Sequence, residues 1–519
     1  MSAGPEPATV KDENVRGYAR GVRRTGVAIG RGRHMANRTP EFTESGSITR
    51  ISTDVAGGQA NSDSYGPVFS SDGTKVVFYS YASNLVPGDG NGAGDIFVKD
   101  LTTGVITRIS TDASGAQANG SSYRPVFSPD GTKVAFYSYG SNLVPGDTNG
   151  ANDIFVKDLT TRVITLVSTD GTDAQGNSSS YGPVFSPDGT KVAFYSLASN
   201  LVPNDTNGAI DIFVKDLLSG ETIRIATNAT GAQGNDYSYQ AVFSPDGTKV
   251  AFYSYASNLV AGDTNNNADI FIKDLNSGAV TLVSTDAAAI QGNSSSYTPV
   301  FSPDGTKVAF TSVATNLVPG DTNGIVDVFV KDLTTGMVTL VTADATGVQA
   351  DSDSYSPQFS PDGTKLAFYS YATNLVPGDT NNTPDVFVKD LTTGIVTRLS
   401  TDAAGAQGNG YSDSPVFSPD GNKVVFNSGA PNLVPDDTNY TTDIFVKDLS
   451  VAKATLTDAA AKSALTGAGK IFFADADAGD SHTVSIAPQA GALGALTAVV
   501  VPVAGGRAMW TGATASTRR

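Results

Sequence analysis

Phe127-Ser128-Pro129-Asp130-Gly131-Thr132-Lys133-Val134-Ala135-Phe136 reads as a hairpin, two apolar runs joined by a turn in which Pro129 pre-sets its own φ and Gly131 accepts a positive one. The stretch returns at a fixed interval. Its aspartate stands at Asp72, Asp130, Asp188, Asp246, Asp304, Asp362 and Asp420, each step being 58 residues. A second marker, Lys-Asp-Leu, keeps the same step, with its aspartate at Asp100, Asp158, Asp216, Asp274, Asp332, Asp390 and Asp448. A period of this size signals one supersecondary unit copied along the chain.

Four strands can be read in a unit: Pro125 to Ser128, Lys133 to Tyr139, Ile154 to Asp158 and Val163 to Ser168. The second is apolar on both faces, which suits a small sheet sandwiched between two others. Four-stranded sheets repeated about an axis make a propeller. The expected fold is therefore all-β, a seven-bladed β-propeller of 58-residue four-stranded repeats over residues 47–449. One strand is left over. The segment Ser47 to Ser52 has the pattern of a fourth strand but precedes the first blade, so Ile48 to Ser52 is expected to pair with Ile444 to Asp448, an N-terminal strand closing the ring in the last blade.

Phe127 to Phe136 resembles the TolB-like propeller repeat, a WD-like module, and the resemblance covers roughly residues 47–449. It implies the same propeller fold. These repeats exceed the ~40–45 residues of a WD-type blade because both connections on one face are extended. That face is where function is expected.

The first extended connection carries Asp-x-Asn-x-x-x-Asp in every blade: Asp89/Asn91/Asp95, Asp147/Asn149/Asp153, Asp205/Asn207/Asp211, Asp263/Asn265/Asp269, Asp321/Asn323/Asp327, Asp379/Asn381/Asp385 and Asp437/Asn439/Asp443. Oxygen ligands at positions 1, 3 and 7 of a short loop suit a hard cation, which makes these residues candidate calcium ligands. The spacing departs from an EF-hand loop in lacking an acidic residue at 5 and a Glu at 12. The other reading is a set of Asx turns in which Asp and Asn bond nearby amides. The second connection repeats Gln117-x-Asn119 and Tyr123, as Gln59/Asn61/Tyr65, Gln175/Asn177/Tyr181, Gln233/Asn235/Tyr239 and Gln291/Asn293/Tyr297. Asp351 replaces the Asn in the sixth copy and Asp413 the Tyr in the seventh. Amides beside aromatics can hold a sugar or a peptide, or can brace neighbouring blades.

Charge and composition narrow the function classes. The formal net charge is −17 although the first 50 residues are basic, so the remainder repels nucleic acid, and no apolar run is long enough to insert in a membrane. With no cysteine there is neither a disulfide framework nor a thiol nucleophile. The two histidines, His34 and His482, both fall outside the propeller, which removes a Ser-His-Asp triad and a His metal site from it. Seven near-identical copies argue against one catalytic constellation.

Residues 1–46 are rich in Arg and Gly without apolar periodicity, and read as a disordered basic leader or a processed or appended segment lacking the apolar centre of a secretory signal. Residues 450–519 turn Ala-rich. Within them Phe473 to Ser485 and Gly491 to Thr497 resemble part of a VCBS repeat, a bacterial adhesin-type module, which implies a secreted or surface context. The expectation is a monomeric, non-catalytic module, extracellular or at the cell surface, presenting its long-loop face to protein or glycan, with calcium as stabiliser. Two alternatives stay open: a periplasmic TolB-like protein-interaction scaffold without calcium, and a polysaccharide-active enzyme using Asp pairs.

Overall fold

The computed structural model describes residues 46–450, together with 472–474, 498–503 and 507–513. The first blade is an antiparallel sheet of four strands, and its order follows the chain: β2 (Ser64–Phe69), β3 (Lys75–Ser80), β4 (Asp95–Asp100) and β5 (Ile106–Arg108). Five further blades repeat it. The seventh takes Ser412–Phe417, Lys423–Ser428 and Asp443–Asp448 from its own repeat and its outer strand from β1 (Ile48–Arg50), in register Ile48 with Lys447, Thr49 with Val446 and Arg50 with Phe445. The ring closes as the leftover strand required. First strands of successive blades touch around the ring, Ser412–Phe417 returning to β2, so they line its axis.

The apolar second strand is explained by what lies on either side of it. Val77 packs with Ile96 and Val98 against Phe127, Val134 and Phe136 of the second blade, whereas Val76 and Phe78 pack against Val425, Ile444 and Val446 of the seventh. The core is thus seven clusters, each shared by two blades. Phe78 and Phe97 stand with ring centroids 6.0 Å apart, as do their counterparts Phe136 and Phe155, all fully buried. Burying one such ring stabilises by roughly 1.5–3 kcal/mol.

Two strands differ from expectation by more than one residue at an end. The first strand starts earlier, at Ser122 instead of Pro125, so Tyr123 lies within it, and the fourth spans only Ile164–Leu166. The cause of the first difference is a bulge. Register slips between Tyr123 and Val126, and the residue after the Tyr123 position, tyrosine in six blades and Asp413 in the seventh, has positive φ in every blade, from Gly66 at 62° to Arg124 at 46°.

The hairpin Ser-Pro-Asp-Gly forms as read. Gly131 donates its amide to the Ser128 carbonyl at 2.8 Å with φ 69°, and Ser128 Oγ donates to Asp130 Oδ1 at 2.6 Å. The strands Phe472–Ala474, Ala498–Val503 and Arg507–Ala513 form a separate antiparallel sheet with the last of them in the middle. Residues 1–45 and most of the VCBS-like stretch, His34 and His482 included, lie outside the described residues.

Candidate functional site on the long-loop face

Strands two and four end on the same side of the ring, so the two extended connections emerge together there. The paired aspartates of each loop do come together, and the residue between them is the glutamine of the neighbouring connection. Gln117 Nε2 donates to Asp89 Oδ1 at 2.9 Å and to Asp95 Oδ2 at 2.7 Å. The same fork recurs at Gln175 with Asp147 and Asp153, Gln233 with Asp205 and Asp211, Gln291 with Asp263 and Asp269, Gln349 with Asp321 and Asp327, and Gln407 with Asp379 and Asp385. Gln59 donates to Asp437 at 2.7 Å and reaches Asp443 at 3.5 Å, carrying the pattern across the closure.

The central asparagine of each loop is held by the backbone on both sides of its amide. Its Oδ1 accepts from the backbone amide two residues on, at 2.8–2.9 Å in Asn91, Asn149, Asn207 and Asn265, and at 3.2, 3.0 and 3.1 Å in Asn323, Asn381 and Asn439. This is the Asx turn. Its Nδ2 donates to a carbonyl of the adjoining connection, Asn91 to Ala118 O, Asn149 to Gly176 O, Asn207 to Gly234 O and Asn265 to Gly292 O. Asn323 reaches Ala350 O, Asn381 Gly408 O and Asn439 Ala60 O in the same way. The amide shapes the loop and ties it down, and the side chains that converge on the glutamine are the carboxylate pair. Among the described residues no three acidic side chains gather at one point.

The asparagine two residues after the glutamine faces the other way. Asn119 Nδ2 donates to Ser141 Oγ of the next blade at 3.0 Å, and the Asn119 amide donates to Asn142 Oδ1 at 2.8 Å. Gln-x-Asn therefore stitches each blade to its successor. Asp351 keeps the stitch by accepting from Thr373 through both carboxylate oxygens.

The second aspartate of each pair opens the third strand and is wholly buried. Burial pushes Asp95, Asp153, Asp211, Asp269, Asp385 and Asp443 up to about 6, against the opposing pull of a serine hydroxyl or the glutamine amide. Asp327 is raised for the same reason. Four pairs also have a cation, which the spacing of the loop itself did not reveal. Arg108 Nη1 lies 3.6 Å from Asp89 and 3.9 Å from Asp95; Arg50, Arg224 and Arg398 stand likewise in the seventh, third and sixth blades. The signal was the Arg that ends four of the seven fourth strands.

A second missed set is the lysine of Lys-Asp-Leu. Lys157 Nζ donates to Thr111 O and Asp112 O, both at 2.8 Å, so a buried ammonium ties each third strand to the connection leaving the previous blade. Lys99 does this across the closure, to Thr53 O and Asp54 O at 2.9 Å.

The tyrosines form neither a loose rim nor isolated braces. Tyr65, Tyr79, Tyr123, Tyr137, Tyr181, Tyr195, Tyr239, Tyr253 and Tyr297 follow one another with ring centroids 5.3–5.7 Å apart, alternating between the first and second strands. They begin the first strand and end the second, so the belt lies at the loop-face mouth of the axis. Outside it stand Tyr81, Tyr139 and Tyr237, 36%, 56% and 40% exposed. Tyr81 contacts Tyr79 and shares a 3.3 Å hydroxyl contact with Tyr123. Thr311 interrupts the belt in the fifth blade, and in the seventh Asp413 and Asn427 replace both tyrosines and bond each other. The belt is unbroken over four blades, returns in the sixth as Tyr355 and Tyr369 with centroids 5.4 Å apart, and gives way to polar groups at the seventh.

Residues 122–313, three blades and the opening hairpin of a fourth, match the model of the TolB β-propeller domain. The ring is a TolB-like propeller. Among solved structures it is similar to an oligogalacturonate lyase in complex with manganese, at 17% identity over 78% of this chain and 93% of that one with a TM-score of 0.50. TolB from Acinetobacter baumannii gives 20% identity, 65% and 63% coverage and a TM-score of 0.37. The β-propeller domain of the trilobed protease from Pyrococcus furiosus gives 13%, 74% and 96% coverage and 0.46. At these identities the first shares the fold alone with the TolB-like ring, and the other two add nothing to it. No curated protein matches the chain.

Proposed function

We propose that this TolB-like propeller is a non-catalytic binding module that presents the tyrosine-lined part of its long-loop face to a protein or a glycan. The observation that carries the reading is the exposure of Tyr81, Tyr139 and Tyr237 beside the aromatic belt that runs from Tyr65 to Tyr297. Tyrosine offers a large apolar face with a hydroxyl at its tip, at little cost in conformational freedom, and is favoured where a surface must bind. The loop carboxylates are less available for chemistry: each pair is already engaged by a glutamine, and four by an arginine. An Asp pair acting on a polysaccharide needs one free carboxyl as acid and another as base or nucleophile.

Two resemblances bear on location. The VCBS-like stretch supports an extracellular or surface site and the TolB-like ring a periplasmic one. Binding to a panel of bacterial glycans and envelope peptides, followed by product analysis of every captured glycan, tests the function. Capture without shortened products supports a binding module; chain cleavage that disappears on replacing one Asp pair by Asn would establish the enzyme instead.

A further inference from the structure

We infer that the seven acidic loops are of two kinds, and that those of the second, fourth and fifth blades bind a hard cation whose place a guanidinium takes in the other four. This does not depend on what the mouth binds. In the first, third, sixth and seventh blades Arg Nη1 lies 3.4–3.6 Å from the first aspartate and 3.8–3.9 Å from the second. The residue at that point of the fourth strand is Leu166, Leu282 or Leu340 in the remaining blades. These leucines are half-buried and pack into the apolar clusters. The carboxylates and the glutamine are unchanged. What is missing is the positive charge.

Two carboxylates that accept from one amide nitrogen are close together, and a neutral amide does not offset their repulsion in a buried setting. Asp147, Asp263 and Asp321 are all buried. A separate observation points to a ligand in the fourth blade. Asp263 is 8% exposed, its Oδ1 accepts from Gln291 at 2.7 Å, and its Oδ2 is buried without any hydrogen-bond partner. Leaving a carboxylate oxygen unpaired there is costly, and a cation would satisfy it. Oxygen donors with neither His nor Cys among the described residues select a hard ion over a soft one. Two carboxylates are few for calcium, so loop carbonyls and water must complete the shell, and affinity should fall in the range of about 10⁻⁴–10⁻³ M seen for weak extracellular sites.

Equilibrium dialysis of the full chain against calcium, with metal counted per chain, tests this with two reciprocal variants. The wild type should take up three calcium ions, a variant carrying Leu166→Arg, Leu282→Arg and Leu340→Arg none, and Arg108→Leu four. Uptake of none or of seven by the wild type would overturn the assignment. If the triple variant does not fold, Arg108→Leu decides: a fourth ion supports the proposal, and an unchanged count contradicts it.

Discussion

Thr49 lies opposite Val446 in the seventh blade, and two residues further on the Ile51 amide donates to the Ile444 carbonyl at 2.8 Å. Ile109 makes the equivalent bond to Ile96 within the first blade, at 2.7 Å. Ile51→Pro removes one ladder bond and disturbs a buried side chain. It should lower the melting temperature as much as Ile109→Pro, by several degrees. Thermal melts of the two variants side by side check this; a harmless Ile51→Pro would mean that the ring does not depend on its N-terminal strand.

Lys447 is the most perturbed of the seven buried lysines. Burial pushes it down to about 8, with Nζ donating to Thr401 O at 2.9 Å and Asp402 O at 3.0 Å. A lysine lowered in the folded state binds fewer protons there than in the unfolded chain between pH ~8 and its ordinary value near 10.4, so stability should rise across that window. Denaturant unfolding between pH 7.5 and 9.5 should show this rise, with a smaller slope for Lys447→Met. Equal slopes would show that Lys447 does not carry it. The variant should also lose about 1–3 kcal/mol for carbonyls left unpaired.

The hairpin turns predict a second rise of stability with pH, in the acid range. The hydroxyl of Ser128 and the amide of Thr132 hold Asp130 down at about 2, and Asp72, Asp246 and Asp304 are lowered alike. Each contributes stability that is present above pH ~4 and lost as pH falls toward 2. Because the carboxylates are exposed, solvent screening keeps each contribution small. Ser128→Ala should narrow the stability difference between pH 5 and pH 2.5, measured by urea unfolding; a difference equal to wild type would remove Ser128 as the cause.

The ring and its closure were legible because period and hydrophobic alternation are properties of the chain itself, and the orphan strand Ser47 to Ser52 had one place to go. What stayed hidden were contacts between distant residues. Arg108 and Asp95 are 13 positions apart and Lys157 and Thr111 are 46 apart, so no local pattern links them. The loop asparagines show the same limit. That Asn91 caps a turn could be read locally, but its hold on Ala118 O, 27 positions away, could not. The bulge that brings Tyr123 into the first strand was missed because a positive φ at Arg124 leaves no mark in its side chain. The tyrosines were visible as a repeat, but their belt exists only because second-strand Tyr79 lies between Tyr65 and Tyr123 of adjacent blades.

The most direct test concerns the mouth. The affinity of a ligand found on the glycan or peptide panel is compared between wild type and a variant combining Tyr81→Ala, Tyr139→Ala and Tyr237→Ala, with a thermal melt to show that the variant is folded. Binding at the tyrosine arc predicts a loss of at least ~10-fold, about 1.4 kcal/mol. An affinity equal to wild type in the folded variant would contradict it and move the binding surface away from the mouth.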